Sequence, residues 1–267
     1  MMNITTFSAI KGGVGKTTLA YNYGEYLASK GKKVLFFDFD HQCNLSQIYN
    51  IYDNEDSVGN IFIGKGKVIP RVITDNISII AGDTRLDTIE KDIENKTNKN
   101  MLFYLWLSDN YERLELETYD HLIIDTHPDF STATKNALIV SNSIISPITP
   151  SEHGFNAKFN LEARIEELKS EAIDYATRKS YFTAKLFYVA NMVKHNTKSS
   201  HELLNALEND NSVIGVIPEK ELFNRSTLDR LSISALQNDK NVFNKQKQFF
   251  ESIDITFSEI TNRITNV

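Results

Sequence analysis

The stretch Ile10-Lys11-Gly12-Gly13-Val14-Gly15-Lys16-Thr17-Thr18 decides how this chain is read. Before it, Asn3 to Ala9 reads as a strand; after it, Lys16 to Lys30 places Leu19, Ala20, Tyr23, Tyr26 and Leu27 on one helical face. Glycines at such a junction let backbone N–H groups turn inward around a polyphosphate, and the N-terminus of the following helix adds partial positive charge. Lys16 is then placed to reach the β- and γ-phosphates, while Thr17 offers its hydroxyl to Mg2+. The strict phosphate-loop pattern needs glycine five positions before Gly15, where Ile10 stands; a second lysine, Lys11, occupies the loop's entrance. A glycine-rich turn with solvated lysines is the plainer reading. The strand before, the helix after and the Gly-Lys-Thr-Thr run argue against it.

Working outward, Gly31 stops the first helix. Val34-Leu35-Phe36-Phe37 and Leu122-Ile123-Ile124 are apolar on both faces of the pleat, which suits parallel strands covered by helices on both sides. Further strands are expected at Ile77 to Ala81, Ile144 to Ile148, Lys185 to Ala190 and Val213 to Val216, with helical patterns between most of them. This alternation predicts an α/β fold with a doubly wound, mostly parallel sheet flanked by helices. Tyr52 to Lys99 mixes charge, glycine and short apolar runs, and insertions or irregular helices are expected there. Near the C-terminus Phe249, Phe250, Ile253, Phe257, Ile260 and Ile264 form one apolar helical stripe. It either packs on the domain or lies on a membrane. A membrane-surface helix carries Lys and Arg on its polar face, whereas only Arg263 stands against Glu251, Asp254 and Glu259 here, which favours packing.

With 267 residues and no internal repeat, 1–267 is expected to be a single domain. The single cysteine, Cys43, excludes an intramolecular disulfide and an iron–sulfur site within one subunit, and points to a cytoplasmic protein. Twenty-nine Lys plus Arg against 35 Asp plus Glu give a net charge of -6, which argues against a surface basic all over but leaves room for a local basic patch. No apolar stretch approaches the roughly 20 residues needed to span a bilayer. Met1-Met2-Asn3-Ile4 lacks the charged head and apolar body of a signal peptide, so no membrane partner is expected.

Two further segments carry carboxylates. In Phe37-Asp38-Phe39-Asp40-His41-Gln42-Cys43-Asn44-Leu45-Ser46, period-two alternation puts Asp38 and Asp40 on one side at a strand's carboxyl end, where doubly wound sheets bind ligands. His41 is open to two readings, a metal ligand or proton shuttle and a plain loop residue. Cys43 is similarly a redox switch or a loop residue. Leu122-Ile123-Ile124-Asp125 is an apolar strand ending in a carboxylate, the Walker B arrangement, in which Asp125 holds Mg2+ through water.

Lys11-Gly12-Gly13-Val14-Gly15-Lys16-Thr17-Thr18 resembles the deviant Walker A motif of the ParA/MinD superfamily of ATPases. The resemblance implies that Lys11 crosses a dimer interface to the phosphates of the ATP held by the partner subunit, making ATP a dimerisation ligand. Burying γ-phosphate charge between two subunits is costly unless a cation from each side neutralises it. Asp38 to Asn44 is similar to the Asp-x-Asp-Pro-Gln-x-Asn signature of the ParA branch, with Asp40 matching the carboxylate that positions the attacking water. His41 stands where the family usually has Pro, Cys43 where it often has Gly, and His127 in a segment that usually reads Asp-Thr-Pro-Pro. Pro147 and Pro150 to Glu152 also resemble the family. Asn191 and Ile217-Pro218 lie where the superfamily contacts adenine; an Asn cap and a strand-ending Pro are the other reading.

The form of the second motif and the C-terminal helix favour the ParA partition ATPases. The alternative is a MinD-like, ATP-dependent, membrane-associated positioning ATPase. Lys11 lies so near Met1 that no N-terminal helix-turn-helix domain is expected. The resemblance then implies a nucleoid-associated homodimer that forms with ATP and Mg2+ and binds DNA without sequence preference. A centromere-binding, ParB-like partner stimulates its weak hydrolysis of ATP to ADP and phosphate, in the service of plasmid or chromosome segregation. Lys220, Arg225, Arg230, Lys240, Lys245 and Lys247 are candidate DNA contacts, although Glu219, Glu221, Asp229 and Asp239 in the same stretch also fit an ordinary solvated face.

Overall fold

Val34–Phe39 is buried at every position, and its side chains divide between two apolar layers: Val34 and Phe36 enter one, Leu35, Phe37 and Phe39 the other. This is what a continuous apolar run does when helices cover both faces of a sheet. The computed structural model describes residues 2–266, with side chains at all of these positions except 152–156. Among the described residues there is one sheet of eight strands. They are β1 (Asn3–Phe7), β2 (Val34–Phe39), β3 (Arg71–Thr74), β4 (Ile77–Ile80), β5 (His121–Thr126), β6 (Ser143–Ile148), β7 (Lys185–Val193) and β8 (Val213–Pro218). Their spatial order is β3-β4-β2-β5-β1-β6-β7-β8, and every neighbouring pair is parallel except β3 with β4.

The helices are α1 (Lys16–Ser29), α2 (Asn44–Ile48), α3 (Gly59–Ile63), α4 (Leu86–Asp92), α5 (Leu102–Asn110), α6 (Thr132–Val140), α7 (Glu152–Glu171), α8 (Lys198–Leu207), α9 (Glu221–Leu228), α10 (Ile233–Leu236) and α11 (Lys240–Thr265). Apolar residues of α1, α9, α10 and α11 build one layer, and those of α3 to α6 build much of the other. From β1 the chain runs to β2 on one side, while the later β5-to-β6 connection crosses to the other side of β1. The strand order therefore reverses at β1, and the crevice beyond the carboxyl ends of β1, β5 and β2 is where such a sheet holds a ligand.

Two packing features position that crevice. Helix α1 approaches β2 so closely at Gly24 that a Cβ there would lie 2.1 Å from the Phe36 ring. The C-terminal stripe is core: Phe249, Phe250, Ile253, Phe257, Ile260 and Ile264 are all buried. At roughly 1.5–3 kcal/mol for each such side chain, peeling α11 away would cost on the order of 10 kcal/mol, which decides for packing over a membrane-facing role. Among the described residues no helix is long and apolar enough to cross a membrane.

The expected doubly wound sheet is present, and most strands lie where the apolar runs put them. The exception is β3, an antiparallel edge strand in Tyr52 to Lys99, where beside the strand at Ile77 to Ala81 insertions or irregular helices are expected. Only one side of it is half-buried, with Val72 exposed, so its pattern is too weak to stand out.

Candidate nucleotide-binding site

The loop between β1 and α1 has the shape that its glycines allow. Gly13 and Gly15 have φ of 72° and 86°, in the left-handed region. Gly15 is also the N-cap of α1, and a Cβ there would sit 2.6 Å from Asn191 Nδ2. Asn191, in β7, donates from Nδ2 to the Val14 carbonyl at 2.8 Å, tying this strand to the loop. Pro218, at the end of β8, lines a small cleft with Gly15, Thr18, Asn191 and Met192. The structure thus brings both candidate adenine contacts to the loop, with the Asn191 amide already engaged there. A wider groove, of about 1040 Å³, lies elsewhere, between β8, α8 and α11. It lacks the phosphate loop and the carboxylates.

Lys16 begins α1 and is buried. Burial lowers its pKa from the ordinary lysine value, and the nearby charges of Asp125, Asp40 and Asp129 only partly offset this. Asp125 and Asp38 are register partners on β5 and β2, fully buried side by side. Asp38 accepts hydrogen bonds from the Ser46 N–H (2.9 Å), the Ser46 hydroxyl (2.7 Å) and the Asp40 N–H (3.2 Å), so it braces the turn into α2. Burial pushes its pKa up to about 6.

Asp125 is different: both of its carboxylate oxygens are buried without a hydrogen-bond partner. Burial, reinforced by the charge of Asp38, pushes its pKa up to about 8 against the opposing influence of Lys16 and the Thr17 hydroxyl. Orphaned buried carboxylate oxygens are rare and costly. A hard cation with oxygen ligands supplies what they lack, so Asp125 with Thr17 fits Mg2+.

The raised pKa has a sign that can be measured. Both folded and unfolded chains carry the neutral acid below about pH 4, whereas between about 4 and 8 the unfolded chain ionises first, so this group subtracts stability as pH rises. Asp125→Asn is expected to raise the melting temperature of the ligand-free protein at pH 8 by several degrees and to change it little at pH 4. Thermal denaturation at the two pH values checks this, and a variant less stable than wild type at pH 8 contradicts it.

Asp40 is buried just past β2 and accepts the Gln42 N–H at 2.9 Å. The rings of His41 and His127 meet beside it, with centroids 4.3 Å apart. Cys43 has a φ of 53°, a left-handed position that explains why glycine suits this site. Its thiol is buried and pushed up to about 12, first by burial and then by the Asp38, Asp83 and Asp40 carboxylates. The reactive thiolate is therefore suppressed, which disfavours the redox-switch reading. Lys11 is half-buried at the loop's mouth and donates to the Ser151 hydroxyl at 3.2 Å. Among the described residues no ion pair includes it. Pro147 lies in β6 and Pro150 just after it; the Glu152 side chain lies outside the described residues.

The basic candidates are divided. Arg225 pairs with Asp229 at 2.8 Å, Lys247 with Glu251 at 3.7 Å, Arg230 bonds Asn50 and Tyr52, and Lys220 lies over the Phe249 ring. Lys240 and Lys245 are exposed on the N-terminal part of α11, before its kink at Gln246.

A family model described as an AAA domain (AAA_31) matches residues 2–176, more than half of the chain. Sporulation initiation inhibitor protein Soj of Bacillus subtilis is 31% identical over 153 residues, 55% of this chain and 58% of that protein. The chain belongs to this family, as a ParA-type partition ATPase. Other ParA-family relatives are spanned to a similar extent, as with the chromosome-partitioning ATPase Soj of Treponema pallidum, 30% identical over 52% of this chain and 53% of that protein. An uncharacterized protein of Methanocaldococcus jannaschii, MJECL24, is 29% identical over 81% of this chain and 85% of that protein. The ParA-type fold is also that of a Borrelia burgdorferi plasmid partition protein, with a TM-score of 0.70, 22% identity and coverage of 85% and 95%. An ATP complex of Cyanothece McdA gives a TM-score of 0.78 at 18% identity, covering 96% of both chains.

Proposed function

We propose that residues 1–267 act as one ATPase domain, an ATP-dependent dimerising switch for segregating a plasmid or chromosome. ATP is held by the loop from Lys11 to Thr18, with Asn191 and Pro218 flanking the base, and Mg2+ by Thr17 and Asp125. Bound Mg2+ supplies charge neutralisation at the phosphate oxygens. Lys16 contributes a cation fixed at the β- and γ-phosphates. Asp40 orients the attacking water at the end of β2. Lys11 reaches the phosphates of the partner subunit's nucleotide.

The observation that carries this reading is the placement of two lysines on one loop in opposite circumstances. Lys16 is buried among carboxylates, whereas Lys11 stands at the mouth on the Ser151 hydroxyl, paired with no carboxylate among the described side chains. A cation so placed at the mouth of an anion site is suited to a phosphate arriving from outside. The ATP-bound homodimer then binds nucleoid DNA without sequence preference, and a ParB-like partner bound to the centromere stimulates hydrolysis and release. A chain of net charge -6 is expected to bind DNA weakly as a monomer. Dimerisation aligns two modest basic patches and multiplies their effect.

Lys11→Ala separates binding from dimerisation. Analytical ultracentrifugation with Mg·ATP should show a dimer for wild type and a monomer for the variant, at ATP affinities within roughly threefold of each other (less than 0.7 kcal/mol). A persistent variant dimer contradicts the role of Lys11. Co-sedimentation with plasmid DNA and with anionic liposomes tests the wider reading: ATP-dependent attachment to DNA that weakens with salt supports partition. Attachment to liposomes alone supports the MinD-like alternative.

A further inference from the structure

The loops after β2 and β5 bring Asp40 together with two histidines that the nucleotide site does not require. One ligand atom each from Asp40, His41 and His127 lies within 4.8 Å of the other two. Tetrahedral bonds of roughly 2.0–2.1 Å place ligand atoms about 3.3 Å apart. Closing the set therefore requires an approach of up to about 1.5 Å between donors, two of them on half-buried rings.

The supporting contacts favour a metal over a stacked pair of rings. His127 Nδ1 lies 3.0 Å from Asp129 Oδ2. With Nδ1–H donating to that carboxylate, the lone pair is left on Nε2, the arrangement that orients metal-bound histidines. Asp129 is itself held through Oδ1, which accepts from the Ser131 N–H at 3.1 Å and the Thr134 hydroxyl at 3.2 Å. Asp87 and Glu90 also lie within electrostatic reach of His41. Two imidazoles and one carboxylate, in a field rich in carboxylates, suit zinc; Mg2+ prefers oxygen ligands alone.

We propose that Asp40, His41 and His127 form a binding site for a transition-metal ion of the zinc type, separate from the Mg2+ position at Thr17 and Asp125. Occupancy ties the β2 loop to the β5 loop and takes Asp40 away from the attacking water, so zinc acts as a reversible brake on ATP hydrolysis. The brake rests on the role proposed for Asp40 above; metal binding does not.

The test begins on the tag-free, metal-stripped chain without nucleotide and with excess Mg2+. Titration with Co2+ should give the visible bands of a tetrahedral ion at one per chain, and Zn2+ should displace it. His41→Asn, His127→Asn and Asp129→Asn should each weaken binding roughly 10-fold or more. Equal binding by wild type and a folded His41→Asn/His127→Asn double variant overturns the site. Imidazole NMR resonances of wild type, followed as Zn2+ is added, decide the matter should that variant not fold: shifts at His41 and His127 support the site, and their absence overturns it.

Turnover then tests the brake. With Mg·ATP, Zn2+ should slow wild type, a zinc-selective chelator should restore it, and the double variant should be insensitive to Zn2+. A wild type that binds zinc at this site yet hydrolyses ATP unchanged overturns the brake. Normal turnover by Asp40→Ala instead counts against the proposed role of Asp40, while the Co2+ titration remains a separate measure of the site.

Discussion

Lys16→Ala is expected to abolish productive ATP binding. Lys16 is a buried cation with Asp125, Asp40 and Asp129 around it, fixed at the first turn of α1 beside the phosphate loop. Such a residue acts on phosphate at short range and in a medium that screens little. Removing one partner of a buried charged pair typically costs about 3–5 kcal/mol, which is a loss of roughly 10²–10⁴-fold in affinity. The carboxylates add to the effect: without Lys16 the crevice presents less compensated negative charge to an anionic ligand. Isothermal titration with Mg·ATP reads the loss directly. An affinity close to that of wild type, or nucleotide-dependent dimerisation in this variant, would remove Lys16 from the site.

The second large effect is expected from Asp40→Ala, and it has the opposite character. Asp40 is buried but stands beyond the end of β2, outside the run of residues that shapes the phosphate loop. Its removal should leave ATP affinity within roughly threefold of wild type, while phosphate release falls by about 10²–10⁴-fold, the range attributable to a positioned acid–base group. ATP then accumulates unhydrolysed and the dimer persists. Single-turnover phosphate release and sedimentation in the same buffer separate the two readouts. Normal release would show that another group orients the water. Asp38, two residues earlier, is a useful contrast because its carboxylate is spent on Ser46 and the Asp40 N–H. Its replacement should lower stability as well as turnover.

The two variants rest on residues that were legible in the sequence, and the reason is physical. A phosphate loop needs local backbone freedom, and local requirements are written in adjacent residues: Gly13 and Gly15 have the left-handed φ that their type allows. Buried parallel strands such as β2 and β5 announce themselves by continuous apolar runs. The edge strand β3 does not, since half of it faces solvent and its partner β4 lies across a turn of polar residues. Helix α5 was equally faint, lying in a stretch to which the pattern assigned no element.

The candidate site divides along the same line. Asp40 and Asp125 end apolar strands and could be picked out singly. The structural part played by Asp38 could not, because it depends on Ser46 turning back across the strand end. His41 and His127 stood out separately as departures from a family pattern, but their contact exists only because β2 and β5 are neighbours in the sheet. Periodicity says which face a residue occupies. It does not say which distant loop stands opposite.

The close seat of Gly24 on Phe36 fixes when the phosphate cradle acquires its shape. Helix α1 carries the loop at its N-terminus, and β2 carries Asp38 and Asp40 at its carboxyl end; with no space for even one methyl group between them, helix and strand behave as a single rigid piece. Ordering a backbone costs about 1–2 kcal/mol of entropy per residue. For the cradle that cost is met when the chain folds, before any nucleotide arrives. Nucleotide binding then does not have to meet it.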